Sequence, residues 1–174
     1  MDLSSQRWTL LLGLLACLWG FGVGGAFGAA EDAIKDALRA RADAVLDTRY
    51  EGDAAKATQV VDKSFKYLIR SHLHGGAIGA VAGLCGLVLS SHRRGSPAVR
   101  RAAGALIGAG GLAYSLYWCA AGWMAPGLGS TGAAKEALAW WGFPAAGACL
   151  VGLAATVVLS AREWWGAPGS APSS

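Results

Sequence analysis

Two histidines flank one leucine in "RSHLHGG", residues 70–76, and no other residues in this chain are better suited to chemistry. An imidazole nitrogen ligates haem iron or copper, and imidazole is the side chain that changes charge near neutral pH. His72 and His74 are therefore the candidate cofactor- or metal-binding residues, with haem or copper as the fitting group. On a regular helix, positions i and i+2 point about 200° apart, so one ion would be held by one ring and not by both. His92, the third histidine, lies at the far end of the same apolar run, about 30 Å away along a helix. A second ligand would have to come from a methionine, a cysteine or another subunit; a homodimer would supply either ring twice. Two other readings need no metal. One is a proton sensor. The other is an interfacial set in which Arg70, His72 and His74 bind lipid phosphates or backbone carbonyls at a membrane surface, and this is the favoured expectation.

The remaining chemistry is sparse. Cys17, Cys85, Cys119 and Cys149 fall in four different apolar runs, with no CxxC spacing, and read as small buried hydrophobes. No GxxxxGK[ST], HExxH or GxSxG motif occurs. "GAIGAVAG" is glycine-rich but lies inside an apolar run, so it reads as helix packing and not as a phosphate cradle. Away from their ends, the long apolar runs offer Tyr114, Ser115, Tyr117 and Thr156 as neutral polar groups. Ion pumps usually carry an ionisable residue at mid-membrane, so that class is disfavoured.

The elements that would hold the histidines follow from composition. Of the 174 residues, 54% are hydrophobic and 15% charged, against about 25% charged in a soluble domain. Mean hydropathy is +0.40. The charges concentrate between Glu31 and Arg70 and in a short knot from His92 to Arg101, because a charge in hydrocarbon costs several kcal/mol. The net charge of +4 is dispersed, without aromatic–basic interleaving, and no nucleic-acid partner is expected.

Four stretches have the length of a transmembrane helix, about 20 apolar residues: Trp8–Ala30, Leu73–Ser91, Ala102–Ala125 and Leu138–Ala161. The expected fold is all-α, an integral membrane bundle of four transmembrane helices. Six of the eight tryptophans lie near the ends of these stretches, where indole rings favour the interface; Trp19 and Trp118 lie deeper. Residues 1–30 form the first helix, with a cleaved signal peptide as the second reading, since Arg7 precedes a long apolar run that ends in "AFGAA". Residues 31–72 form a helical extramembrane segment in two pieces, broken near Gly52, whose second piece runs on into the next span. Residues 73–161 hold three more transmembrane helices. Residues 162–174, ending "GAPGSAPSS", read as a disordered tail.

Small residues recur every three or four positions along these helices. Gly13, Cys17, Gly20, Gly24 and Gly28 form the first such face, and Gly75, Gly79, Gly83, Gly86 and Ser90 the second. Gly104, Gly108, Gly111, Ser115, Cys119 and Gly122 form the third, and Ala145, Ala148, Gly152 and Ala155 a weaker fourth. Lipid gives helices little hydrophobic reason to associate, so close backbone approach over small residues substitutes for it. Gly75, Gly79, Gly83, Gly104, Gly108 and Gly111 are accordingly the expected packing positions.

The loop "SHRRGSPAVRR" has four arginines and no acid, which argues for a cytoplasmic location. Both termini are then cytoplasmic and residues 31–72 periplasmic, in the inner membrane of a bacterium whose GC-rich codons the composition suggests. The expected partners are the bilayer and other membrane subunits or a second copy. Three roles fit. The leading one is a structural or accessory subunit of a membrane complex, without enzymatic activity. Next comes a redox or metal protein using His72 or His74, and last a small channel or transporter.

Overall fold

The computed structural model describes residues 2–166. After a short 3-10 turn, Leu3–Gln6, six helices follow: α1 (Arg7–Asp43), α2 (Leu46–Tyr50), α3 (Ala54–Ser91), α4 (Pro97–Met124), α5 (Thr131–Ala137) and α6 (Ala139–Trp165). The protein is all-helical, with no strand among the described residues.

Local chemistry sets the boundaries. Asp53 caps α3 by accepting from the Lys56 amide, and Ser130 caps α5 by accepting from the amides of Gly132 and Ala133. Pro97 opens α4, where its missing N–H costs nothing. The break expected near Gly52 lies at Glu51 and Gly52, which adopt φ of 57° and 77°. The Gly52 amide closes that turn on the Leu46 carbonyl at 3.1 Å. Gly129, φ 73°, is also constrained by space: a Cβ there would lie 2.8 Å from Arg49 Cβ. α1 departs from helical geometry once, at Ala30 (φ −148°, ψ 33°), where the apolar run gives way to Glu31 and Asp32. α3 is unbroken through Arg70, His72 and His74. Of the tail expected over residues 162–174, Arg162–Trp165 belong to α6; residues 167–174 lie outside the described residues.

Three helices are long and apolar enough to cross a membrane, within Leu3–Asp43, Ala54–Ser91 and Ala139–Trp165. The remaining long helix, α4, is not among them: five glycines, two tyrosines and two tryptophans dilute its aliphatic stretch. It occupies the centre, packed against α1, α3 and α6.

Packing is inverted relative to a water-soluble bundle. The interior is built from Gly13, Ala16, Gly20, Gly75, Gly79, Ala82, Gly108 and Ala121. The large apolar side chains point outward, with Leu14 and Leu18 68% exposed, Phe21 71% and Phe143 79%. In water this arrangement forfeits about 25 cal/mol for every Å² of apolar surface left exposed; in hydrocarbon it costs nothing.

Five of the six expected packing glycines meet a neighbouring helix. Side-chain atoms built on Gly75 and Gly79 would fall 2.9 Å from Ala16 O and 2.7 Å from Gly13 O, on α1. Gly104 abuts Thr9 and Gln6, Gly108 lies against Leu12, and Gly111 against Ile78. At Gly83 a Cβ would point into open space. At that turn the Gly83 backbone nitrogen itself makes the approach, 3.1 Å from a Cβ position on Gly13.

α1 and α3, at 37 and 38 residues, reach about 55 Å, well beyond a hydrocarbon core of about 30 Å. Their far halves form an antiparallel hairpin with its own core of Leu38, Ala42, Tyr50, Ala57, Val61 and Leu68. Tyr50 is fully buried, and its hydroxyl donates to Pro126 O at 2.7 Å, tying the hairpin to the segment after α4. Burial pushes the Tyr50 phenol up from its ordinary value, so it stays a donor.

Candidate functional site

The histidine pair lies within one turn of α3, about 200° apart, and its rings turn to different helices. His72 Nδ1 lies 2.7 Å from Gly20 O on α1, so Nδ1 carries the proton and donates. The ring lies against Gly24, where a Cβ would come within 2.7 Å of Nδ1. Phe27 meets it edge-on at 6.3 Å. A glycine at position 24 is therefore what admits the imidazole between α1 and α3.

His74 faces α4 instead. Its ring lies 5.1 Å from that of Tyr114 and 6.3 Å from that of Trp118. One turn earlier, the Arg70 guanidinium lies 4.9 Å from the Trp118 ring and 5.2 Å from that of Tyr67. These cation–π contacts offset part of the cost of holding a charge at the end of an apolar helix. Arg70, His74, Tyr67, Tyr114 and Trp118 form one aromatic–basic layer, separate from His72.

Between the two histidine environments runs a polar clasp. Ser71 Oγ donates to Ser115 O at 2.8 Å, Ser115 Oγ donates to Ser71 O at 2.6 Å, and Trp19 Nε1 donates to Ser71 Oγ at 3.0 Å. Three helices meet at this point, and both serines are wholly buried. Sequence reasoning counted Ser115 as a small residue and passed over Ser71, although it lies inside "RSHLHGG". Nothing in a single sequence pairs residues 44 positions apart.

Beside the aromatic layer opens a cleft of about 600 Å³ between α4, α5 and α6, lined by Tyr114, Tyr117, Trp118, Lys135, Glu136 and Phe143. Trp118 Nε1 is buried without a hydrogen-bond partner. Tyr114, Tyr117 and Trp118 follow helical i, i+3, i+4 spacing, a signal that could have identified this face before the fold was known.

The arrangement offers ring faces, phenol hydroxyls, the Lys135 ammonium and the Glu136 carboxylate. It does not bring His72 and His74 to a common point. No cluster of three or more His, Cys, Asp or Glu with metal-holding geometry occurs among the described residues. The four cysteines are separate and free; Cys17 Sγ donates weakly to Gly76 O at 3.6 Å. Comparison with protein-family models, curated proteins and solved structures finds no match.

Proposed function

We propose that this chain is a four-span membrane protein with a structural role, serving as an accessory subunit of a larger membrane complex. One observation carries the reading: four polar side chains near the middle of the bundle hold helices together. Ser71, Ser115, Trp19 and His72 each bond across a helix contact. Backbone-to-glycine contacts fill the space between α1, α3 and α4, which leaves a channel reading without support. The histidines, bonded or stacked on separate helices, give no pair for a redox centre.

The fourth span rests on connectivity. α3 and α6 are each long and apolar enough to cross a membrane, and α4, which links them, packs lengthwise on both. A 28-residue helix covers about 42 Å, enough to cross. Glycine in such a helix is tolerated because the bilayer leaves the backbone no hydrogen-bond partner but itself. The basic loop between α3 and α4 supports cytoplasmic termini and a periplasmic hairpin in a bacterial inner membrane.

Purification from native membranes in a mild detergent tests the role. The chain is expected to run in a complex larger than one copy plus its micelle, with a defined partner ratio and no absorbance from a cofactor. A monodisperse single copy carrying a Soret band or stoichiometric copper would overturn it.

A further inference from the structure

At the end of the bundle opposite the hairpin, the chain gathers six arginines: Arg7, Arg93, Arg94, Arg100, Arg101 and Arg162. Among the described residues two carboxylates share this end, and neither is used on a guanidinium. Asp2 accepts from the Ser4 amide at 3.1 Å and the Ser4 hydroxyl at 2.6 Å. Glu163 accepts from the backbone amides of Arg93 and Arg94, at 3.1 and 2.8 Å. The side-chain ion pairs among the described residues, Lys35–Glu31 and Arg39–Asp36, both lie in the hairpin.

Three of these arginines, Arg7, Arg100 and Arg101, line one cleft of about 500 Å³ between the starts of α1 and α4, together with Trp8 and Asp2. The Arg7 guanidinium lies 5.9 Å from the Trp8 ring. Arg100 is steadied by donating from Nη1 to Arg94 O at 2.7 Å and Gly95 O at 3.3 Å. Farther along the same face of α1, Leu11 and Leu15 are exposed at 45% and 40%. Cationic forks above, an indole at the rim and aliphatic surface below match an amphiphile with an anionic head. Free phosphate would use only the first of these.

We infer that the cleft formed by Arg7, Arg100 and Arg101 binds the phosphate head group of an anionic phospholipid, with its acyl chains lying along α1. Arginine suits this ligand because its planar fork donates two parallel bonds to a phosphate. Clustered arginines repel one another across short distances, and a bound anion relieves that repulsion. The inference rests on the membrane reading above for the position of the cleft at a bilayer surface.

The test follows thermal unfolding of the full chain in a neutral detergent while phosphatidylglycerol, phosphatidylcholine or inorganic phosphate is titrated in. The midpoint is expected to rise with phosphatidylglycerol alone. In Arg7→Gln/Arg101→Gln the phosphatidylglycerol needed for half the effect should increase about thirtyfold, at roughly a fivefold contribution per surface arginine. Arg41→Gln/Lys63→Gln, which removes two exposed cations from the hairpin, should follow the wild-type curve. If the first double variant does not fold, Arg101→Gln alone carries the test, with about a fivefold change. An equal response to phosphatidylcholine or to inorganic phosphate would overturn the site, as would an unshifted curve for the arginine variants. Protein that requires detergent yet ignores phosphatidylglycerol overturns this site and leaves the membrane reading intact; protein soluble without detergent overturns both.

Discussion

Ser71 and Ser115 exchange hydrogen bonds across the α3–α4 contact, each hydroxyl donating to the other residue's backbone carbonyl at 2.8 and 2.6 Å. A carbonyl oxygen has two lone pairs, so it can accept this bond in addition to that of its own helix. The side chains are short, so the bonds form only where the two backbones run close. Trp19 adds α1 by donating to Ser71 Oγ.

Removing the two serines should therefore have unequal effects. Ser115→Ala loses one interhelical bond and should cost about 0.6 kcal/mol, the average for such bonds in a membrane protein. Ser71→Ala loses its own bond and also strands the Trp19 indole, and should cost about 1.5 kcal/mol. Reversible unfolding in mixed micelles measures both. Equal costs would mean that the Trp19 bond contributes nothing.

The glycine contacts allow a sharper comparison within one helix. A Cβ on Gly20 would lie 2.9 Å from both Gly75 C and His72 O, atoms that cannot move unless α1 and α3 separate. At Gly22 a Cβ would meet nothing within 4 Å. Gly20→Ala should destabilise by about 1–3 kcal/mol through overpacking. Gly22→Ala should be neutral or slightly stabilising, through helix propensity. The same unfolding assay checks this pair, and a Gly20→Ala protein as stable as Gly22→Ala would show that the α1–α3 contact is looser than it stands here.

What the sequence could reveal depended on whether the cause was periodic. The small-residue faces of α1, α3 and α4 repeat every three or four positions, so Gly13, Gly75, Gly79 and Gly108 were readable as contact points. Gly110, outside the repeat, escaped notice, although a Cβ there would lie 2.7 Å from Cys149 N. α5 escaped because seven residues are too few to show a helical period. The direction of each histidine ring was not readable either. Spacing shows that positions 72 and 74 diverge, but which helix each ring meets depends on where α1 and α4 stand around α3, and that is a tertiary property.

Orientation across the membrane can be tested with the ends of the bundle as markers. Asp47, in α2, and Ser96, just before α4, are both exposed and lie at opposite ends. In a background with Cys17, Cys85, Cys119 and Cys149 replaced by alanine, Asp47→Cys should react with an impermeant thiol reagent in intact cells. Ser96→Cys should react only after the membrane is opened. The reverse pattern would place the arginine-rich end outside.

The histidine pair supplies the last prediction, because its two rings are held so differently. His72 donates to Gly20 O, and glutamine at that position retains a donor while losing the ring's contact with Phe27. His74 contributes its stacking on Tyr114. Each single change to glutamine should cost about 0.5–1.5 kcal/mol, the range of one hydrogen bond or one aromatic contact. The double variant should keep the optical spectrum, the metal content and the assembly state of the wild type, since glutamine cannot supply an imidazole nitrogen. If one ring were a ligand, its single replacement would abolish the bound group while the other was tolerated, because the rings face α1 and α4 separately. Loss of a chromophore or metal from either single variant would therefore overturn the structural reading and identify which helix contact carries the cofactor.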